Sequence, residues 1–144
     1  MPRRAAAAAD RLREGMTLTD AGVPGSGLSG GRESAVAGVD SRDGTVVVSL
    51  AGELDLYNAE EVRGALLDAT AGGPGVLVVD LEEVRFIDST ALGVLIEARS
   101  RMADRNGFRL AAPGLETRRA LEVSGLDRHF LVHDTLAEAL EAAR

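Results

Sequence analysis

The chain has 144 residues, the length of one ordinary domain, and no uncharged apolar run of about 18 residues that could span a bilayer. It lacks Cys, Lys and Trp, which excludes disulfides, thiol nucleophiles, Cys-ligated metals, Schiff-base chemistry and the lysine of a phosphate-binding P-loop; with one Tyr and three Phe it also offers no base-stacking platform. Net charge is −7, and residues 35–144 carry 11 Arg against 19 acids, a balance that repels nucleic acid and anionic membranes and favours a protein partner.

Residues 1–34 read as a flexible N-terminal tail, with five Arg against four acids. The run Ala5 to Ala9 is too short and too weakly apolar for a secretory core, and Asp10 and Arg11 follow at once, so a cytoplasmic protein is expected. Met16 is a second candidate start. The segment Gly25-Ser26-Gly27-Leu28-Ser29-Gly30 matches GxGxxG, but that pattern binds a dinucleotide only between a strand and a helix. No strand precedes it, so a linker is the reading.

From Ala35 to the C-terminus, strand and helix signals alternate. Val36–Asp40 and Thr45–Ala51 are β-rich runs around the turn Ser41-Arg42-Asp43-Gly44, which predicts an opening hairpin. Asn58 with Glu61 three residues later resembles a capping box, and Val62, Leu66 and Leu67 mark the stripe of a helix ending before Gly72. Val76–Asp80 reads as the buried central strand. A helix over Thr90–Arg105 follows, with Leu92, Leu95 and Ile96 inward and Asn106-Gly107 stopping it. Then come a strand at Phe108–Ala112, a helix at Leu115–Ser124, a short strand at Phe130–Val132, and a last helix capped by Asp134 and running through Ala143. This order predicts a single α/β domain over 35–144: a mixed, mostly parallel sheet that opens with a β-hairpin, packed with about four helices.

The candidate site lies between the central strand and the next helix, at Asp88-Ser89-Thr90, because residues past the carboxyl end of a strand in an open α/β sheet face outward. One bland reading makes Asp88 or Ser89 a helix cap and Thr90 a filler. A second makes Ser89 a modification switch, since a phosphate at a helix start meets unpaired amides and the positive end of the dipole. A third makes Ser89 a nucleophile, yet the only histidines, His129 and His133, lie about 40 residues downstream and Gly-x-Ser-x-Gly is absent. No metal site and no cofactor is expected.

The strings FIDSTALGVLIEARSRM and GELDLYNAEEVRGAL, with Val123-Ser124-Gly125-Leu126 and Phe130 further on, resemble the STAS domain of bacterial anti-sigma factor antagonists over roughly Ser34 to the C-terminus. The resemblance implies that Ser89, directly after the aspartate, is phosphorylated by an anti-sigma factor that is itself a kinase with a histidine-kinase-like ATP-binding fold. Unphosphorylated protein would bind that partner and free a sigma factor; phosphorylation would end binding, and a separate Ser/Thr phosphatase would restore it. The chain would be a substrate and not an enzyme. By the same resemblance Asp55 and Asp88 flank the phosphosite, and Thr90 and Gly93 lie in the gripped surface. Asp55 has a bland alternative as a solvated turn acid, and Gly93 as a spacer for close helix packing. Ala91 departs from the family, where Gly is common.

Two competing readings stay open on sequence. One is a STAS subunit of another assembly, such as a stress-signalling scaffold or a lipid-transport complex. The other is a small nucleotide-binding hydrolase using Asp55, Asp88 and Ser89, disfavoured by the missing Lys and metal-ligand cluster.

Overall fold

The computed structural model describes residues 34–142, so the expected tail and its GxGxxG segment, apart from Ser34, and Ala143 lie outside the described residues. Strands β1 (Val36–Arg42) and β2 (Thr45–Leu54) form the predicted hairpin, antiparallel with Arg42 opposite Thr45. Its two turn residues, Asp43 (φ 53°) and Gly44 (φ 82°), are both left-handed, as a two-residue turn requires if it is to match the twist of the strands.

Next come α1 (Ala59–Ala71), β3 (Val76–Ile87), α2 (Ser89–Ser100), β4 (Phe108–Ala111), α3 (Leu115–Ser124), β5 (Leu131–His133) and α4 (Leu136–Ala142). The sheet runs β1-β2-β3-β4-β5 in space, and every pair after the first is parallel. Sequential parallel strands with right-handed crossovers put their connecting helices on one face. Accordingly α1, α2 and α3 share one core, with Val62, Leu66, Leu95 and Leu121 against Val48, Leu50, Leu77, Val79 and Leu81. The opposite face carries a smaller cluster, Val47, Val78 and Ala111 under Ala139 of α4. Leu77, Val78 and Val79 are all fully buried, which makes β3 the central strand buried on both faces that its apolar run predicted.

Several elements depart from the sequence reading. β3 continues to Ile87 because two bulges each insert one residue opposite β2, and these break the period of two that a pattern search needs. Helix α2 stops at Ser100, not Arg105; the amides of Arg101 and Met102 turn back on Ala98 and Arg99, and Met102 is buried. Ile96 is 46% exposed instead of inward, because Ala91, Leu92, Val94, Leu95 and Ala98 fill the buried side of α2. The capping box does not form: Asn58 turns back to the Asp55 amide and the Glu53 carbonyl, while Glu61 accepts from Ser34 and Ala35. At α4 the cap is Thr135, whose hydroxyl accepts from the Glu138 amide; Asp134 pairs with Arg118 instead. Phe130 precedes β5 and packs on Phe108, with ring centroids 5.7 Å apart.

In β5, His133 Nε2 lies 3.3 Å from Arg109 Nη1, and burial first, then the arginine's charge, push the imidazole below its ordinary range. The folded state therefore resists the proton that the unfolded chain takes up. This contribution to stability is intact above the ordinary histidine value and is lost as pH falls through the depressed one. Urea unfolding near pH 7.5 and near pH 5 should show a loss on acidification that is smaller in His133→Gln. An equal loss in both proteins would remove His133 from the account.

Candidate functional site

The site is built by the ends of β2 and β3. Their parallel register sets Leu54 beside Ile87, and the Asp88 amide donates to the Leu54 carbonyl at 3.0 Å. The loops that follow, Asp55–Asn58 and Asp88–Ser89, thus leave the sheet side by side. β4 stops pairing with β3 at Asp80 opposite Ala111, so the bulged half of β3 extends beyond β4 and carries Ser89 with it.

Asp55 organises its own loop. Its side chain accepts from the Tyr57 amide at 3.0 Å, and its amide donates to Asn58 Oδ1 at 3.0 Å. Asn58 Nδ2 donates to the Glu53 carbonyl at 2.8 Å, which ties the loop to the end of β2. This constraint presents Leu56 and Tyr57, 62% and 80% exposed, to solvent.

Asp88 is the N-cap of α2: its backbone is extended (φ −102°, ψ 179°) and Oδ1 accepts from the Ala91 amide at 3.0 Å. Capping fixes one carboxylate oxygen inside the helix start and leaves Ser89 as the first helical residue, exposed. The first turn contains no acidic residue, and the Asp88 cap sets one carboxylate against the helix dipole from just outside the turn. Capping and display of a serine are therefore one arrangement, not alternatives. Ala91, the departure from the family pattern, is 1% exposed, so its methyl group faces the interior and not the site.

Thr90 and Gly93 are both exposed on α2. A Cβ built on Gly93 would meet no atom of the described residues within 4 Å, so close packing among them is not the reason for glycine there. Ser89, Gly93, Ile96 and Ser100 recur at helical spacing on one exposed ridge. The structure thus brings Asp55, Asp88, Ser89 and Thr90 to one end of the sheet, and Gly93 one turn further along α2. Sequence reasoning missed Ile96, Leu56 and Tyr57 as surface; the signal for Ile96 was its position three residues after an exposed glycine.

Across the helix pair, Arg63 of α1 holds Glu97 of α2 bidentately, Nε to Oε1 at 2.8 Å and Nη2 to Oε2 at 2.9 Å. The hydrogen bonds and charge of Arg63 hold the Glu97 carboxyl below its ordinary range. Among the described residues no group of three or more His, Asp or Glu could hold a metal, and no helix is long and apolar enough to cross a membrane.

A family profile described as STAS domain matches residues 37–139. The anti-sigma-F factor antagonist RsfB of Mycobacterium tuberculosis is 33% identical over 112 residues, covering 78% of this chain and 92% of RsfB. A crystal structure of an anti-sigma factor antagonist from Mycobacterium paratuberculosis superposes with a TM-score of 0.70 at 37% identity, covering 74% of this chain and 91% of that one. The anti-sigma factor antagonist SpoIIAA in its unphosphorylated form gives 0.63 at 26% identity, covering 74% of this chain and 94% of that one. SpoIIAA of Bacillus has also been solved in a phosphorylated form, which gives 0.58 at 26% identity over 74% of this chain and 97% of that one. With the profile spanning both site loops and the sheet that holds them, the chain belongs to the STAS-domain family, among relatives named anti-sigma factor antagonists.

Proposed function

We propose that this protein is an anti-sigma factor antagonist whose unmodified form binds an anti-sigma factor kinase with a histidine-kinase-like ATP-binding fold. Phosphorylation of Ser89 ends that binding, and a Ser/Thr phosphatase restores it. The observation that carries the reading is the exposed hydroxyl of Ser89 at the head of α2, with Asp88 fixed beside it as the cap and the Asp55 loop on the adjoining strand end.

The contact surface is the ridge Ser89–Gly93–Ile96 with Thr90 and the exposed Leu56 and Tyr57. Apolar side chains there supply burial, and Gly93 lets the partner's backbone come close to the helix. A phosphate on Ser89 adds about −1.5 to −2 charges beside carboxylates already at this end of the sheet. In the free protein the helix amides and water accommodate that charge. In the complex it would be stripped of water against acidic neighbours, so the switch works on the interface and not on the fold.

Phosphate incorporation tests the assignment. Full chain mixed with ATP and the purified anti-sigma factor kinase should take up one phosphate, at Ser89, and Ser89→Ala should take up none. Stoichiometric modification at another residue would contradict it.

Gly93 supplies an independent check. Gly93→Ala should raise stability by roughly 0.5–1 kcal/mol in urea unfolding, since the helix gains propensity without a clash. Gly93→Trp should fold normally and fail to bind the partner. A Gly93→Trp protein that binds as well as wild type would remove Gly93 from the interface.

A further inference from the structure

Resting on the reading of Ser89 as the gate of a partner-binding surface, we propose that Arg63 and Glu97 are positioning residues for that surface. Their ion pair sets α1 against α2 and so holds the Asp55 loop and the Ser89 ridge at the one spacing the partner accepts.

The two halves of the surface stand on different elements. Leu56 and Tyr57 belong to the loop that leads into α1, whereas Ser89, Gly93 and Ile96 stand on α2. Strand pairing joins the halves at their roots, where the Asp88 amide donates to the Leu54 carbonyl. Beneath the helices, Val62, Leu66 and Leu95 share the core against the sheet. Apolar burial is non-directional, and packed helices can still slide by small amounts.

The Arg63–Glu97 pair supplies the missing direction on the solvent side. Arg63 lies in α1 five residues after Asn58, and Glu97 directly follows Ile96, so the pair is tied to both halves. Arg63 Nε donates to Glu97 Oε1 and Nη2 to Oε2, at 2.8 and 2.9 Å. Such a two-point bond fixes orientation as well as distance. Each member is steadied from its own helix: Glu60 Oε1 lies 3.8 Å from Arg63 Nη1, and Arg101 Nη2 lies 3.6 Å from Glu97 Oε2. The two side chains remain 39% and 29% exposed, so their bond contributes little to global stability. Its effect falls instead on how far apart the two helices hold their exposed groups.

Two readouts on the full chain test this. The sequence has no cysteine, so Leu56→Cys combined with Ile96→Cys accepts one spin label on each half of the surface, at positions that are both exposed. Dipolar spectroscopy should give a narrow distance distribution that becomes about twice as broad after Arg63→Gln or Glu97→Gln, as further spacings become populated. In chains without the labels, each substitution should weaken binding of the purified anti-sigma factor kinase, without ATP, about fivefold, as when the accepted spacing is populated about one-fifth of the time. The double variant should lose no more than either single, since both remove the same bond. Urea midpoints should barely move. An unchanged distribution or an unchanged affinity would overturn the proposal. Losses that add in the double variant would also overturn it, by placing both side chains in direct contact with the partner. If the kinase does not bind the wild-type chain while the distribution broadens in the variants, the proposed function fails and the fixed spacing stands. Binding by wild type and variants alike, with an unchanged distribution, gives the reverse.

Discussion

Ser89→Ala should capture the anti-sigma factor kinase from native lysate in any growth state, and Ser89→Asp should capture about tenfold to a hundredfold less. Under the proposed switch, the alanine keeps the small, uncharged surface that the partner would meet and removes the group that would be modified. The aspartate introduces one charge where phosphorylation introduces nearly two, next to the Asp88 cap and beside the Asp55 loop. Neither change should harm the fold. Ser89 is exposed and its side chain makes no hydrogen bond among the described residues, while a carboxylate at the first helical position is favoured by the dipole by about 0.3–1 kcal/mol. Near-identical circular dichroism and urea midpoints with divergent capture are the expected pair of results. Equal capture by both baits would mean that charge at position 89 does not gate the partner.

The largest effect on stability should come from Gly107→Ala. A Cβ at position 107 would stand 2.2 Å from the Gly75 carbonyl oxygen and 3.1 Å from Met102 Cε. The methionine tip can move, but the carbonyl belongs to a backbone held in turn by the Gly75 and Val76 amides donating to the Gly44 carbonyl at 2.9 and 3.3 Å. Relief therefore has to displace the starts of β3 and β4 and the hairpin turn together. A loss of about 3 kcal/mol or more in urea unfolding is expected, in the range of severe overpacking. The same exchange at Gly93 should have the opposite sign, so the pair separates backbone contact from helix propensity. A Gly107→Ala protein within about 0.5 kcal/mol of wild type would show that these strand starts are not in close contact.

The hairpin, the alternation of strands with helices and the central Val76–Val79 run were legible because turn chemistry and apolar periodicity are local signals. What eluded the sequence reading depends on tertiary partners. Asn58 and Glu61 have capping-box spacing, yet the strand end at Glu53 and the incoming Ser34 compete for their side chains and win. Ile96 has the hydrophobicity of a core residue, but Ala91, Leu92, Val94, Leu95 and Ala98 already fill the buried side of α2 and leave Ile96 on its outer side. The far half of β3 was hidden because Leu81–Ile87 reads irregularly until its bulges are placed against β2. At the site, Asp88, Ser89 and Thr90 were legible as a helix start after a strand. The adjacency of the Asp55 loop was implied only by the family resemblance; no local signal shows it, because the pairing of β2 with β3 creates it.

The most direct test is a titration of the purified anti-sigma factor kinase, without ATP, against full chain bearing serine or phosphoserine at position 89. The expected result is more than a hundredfold weaker binding of the phosphorylated protein, about 3 kcal/mol, with unchanged circular dichroism. Equal affinities, or weaker binding accompanied by unfolding, would contradict a switch built from charge at the head of α2.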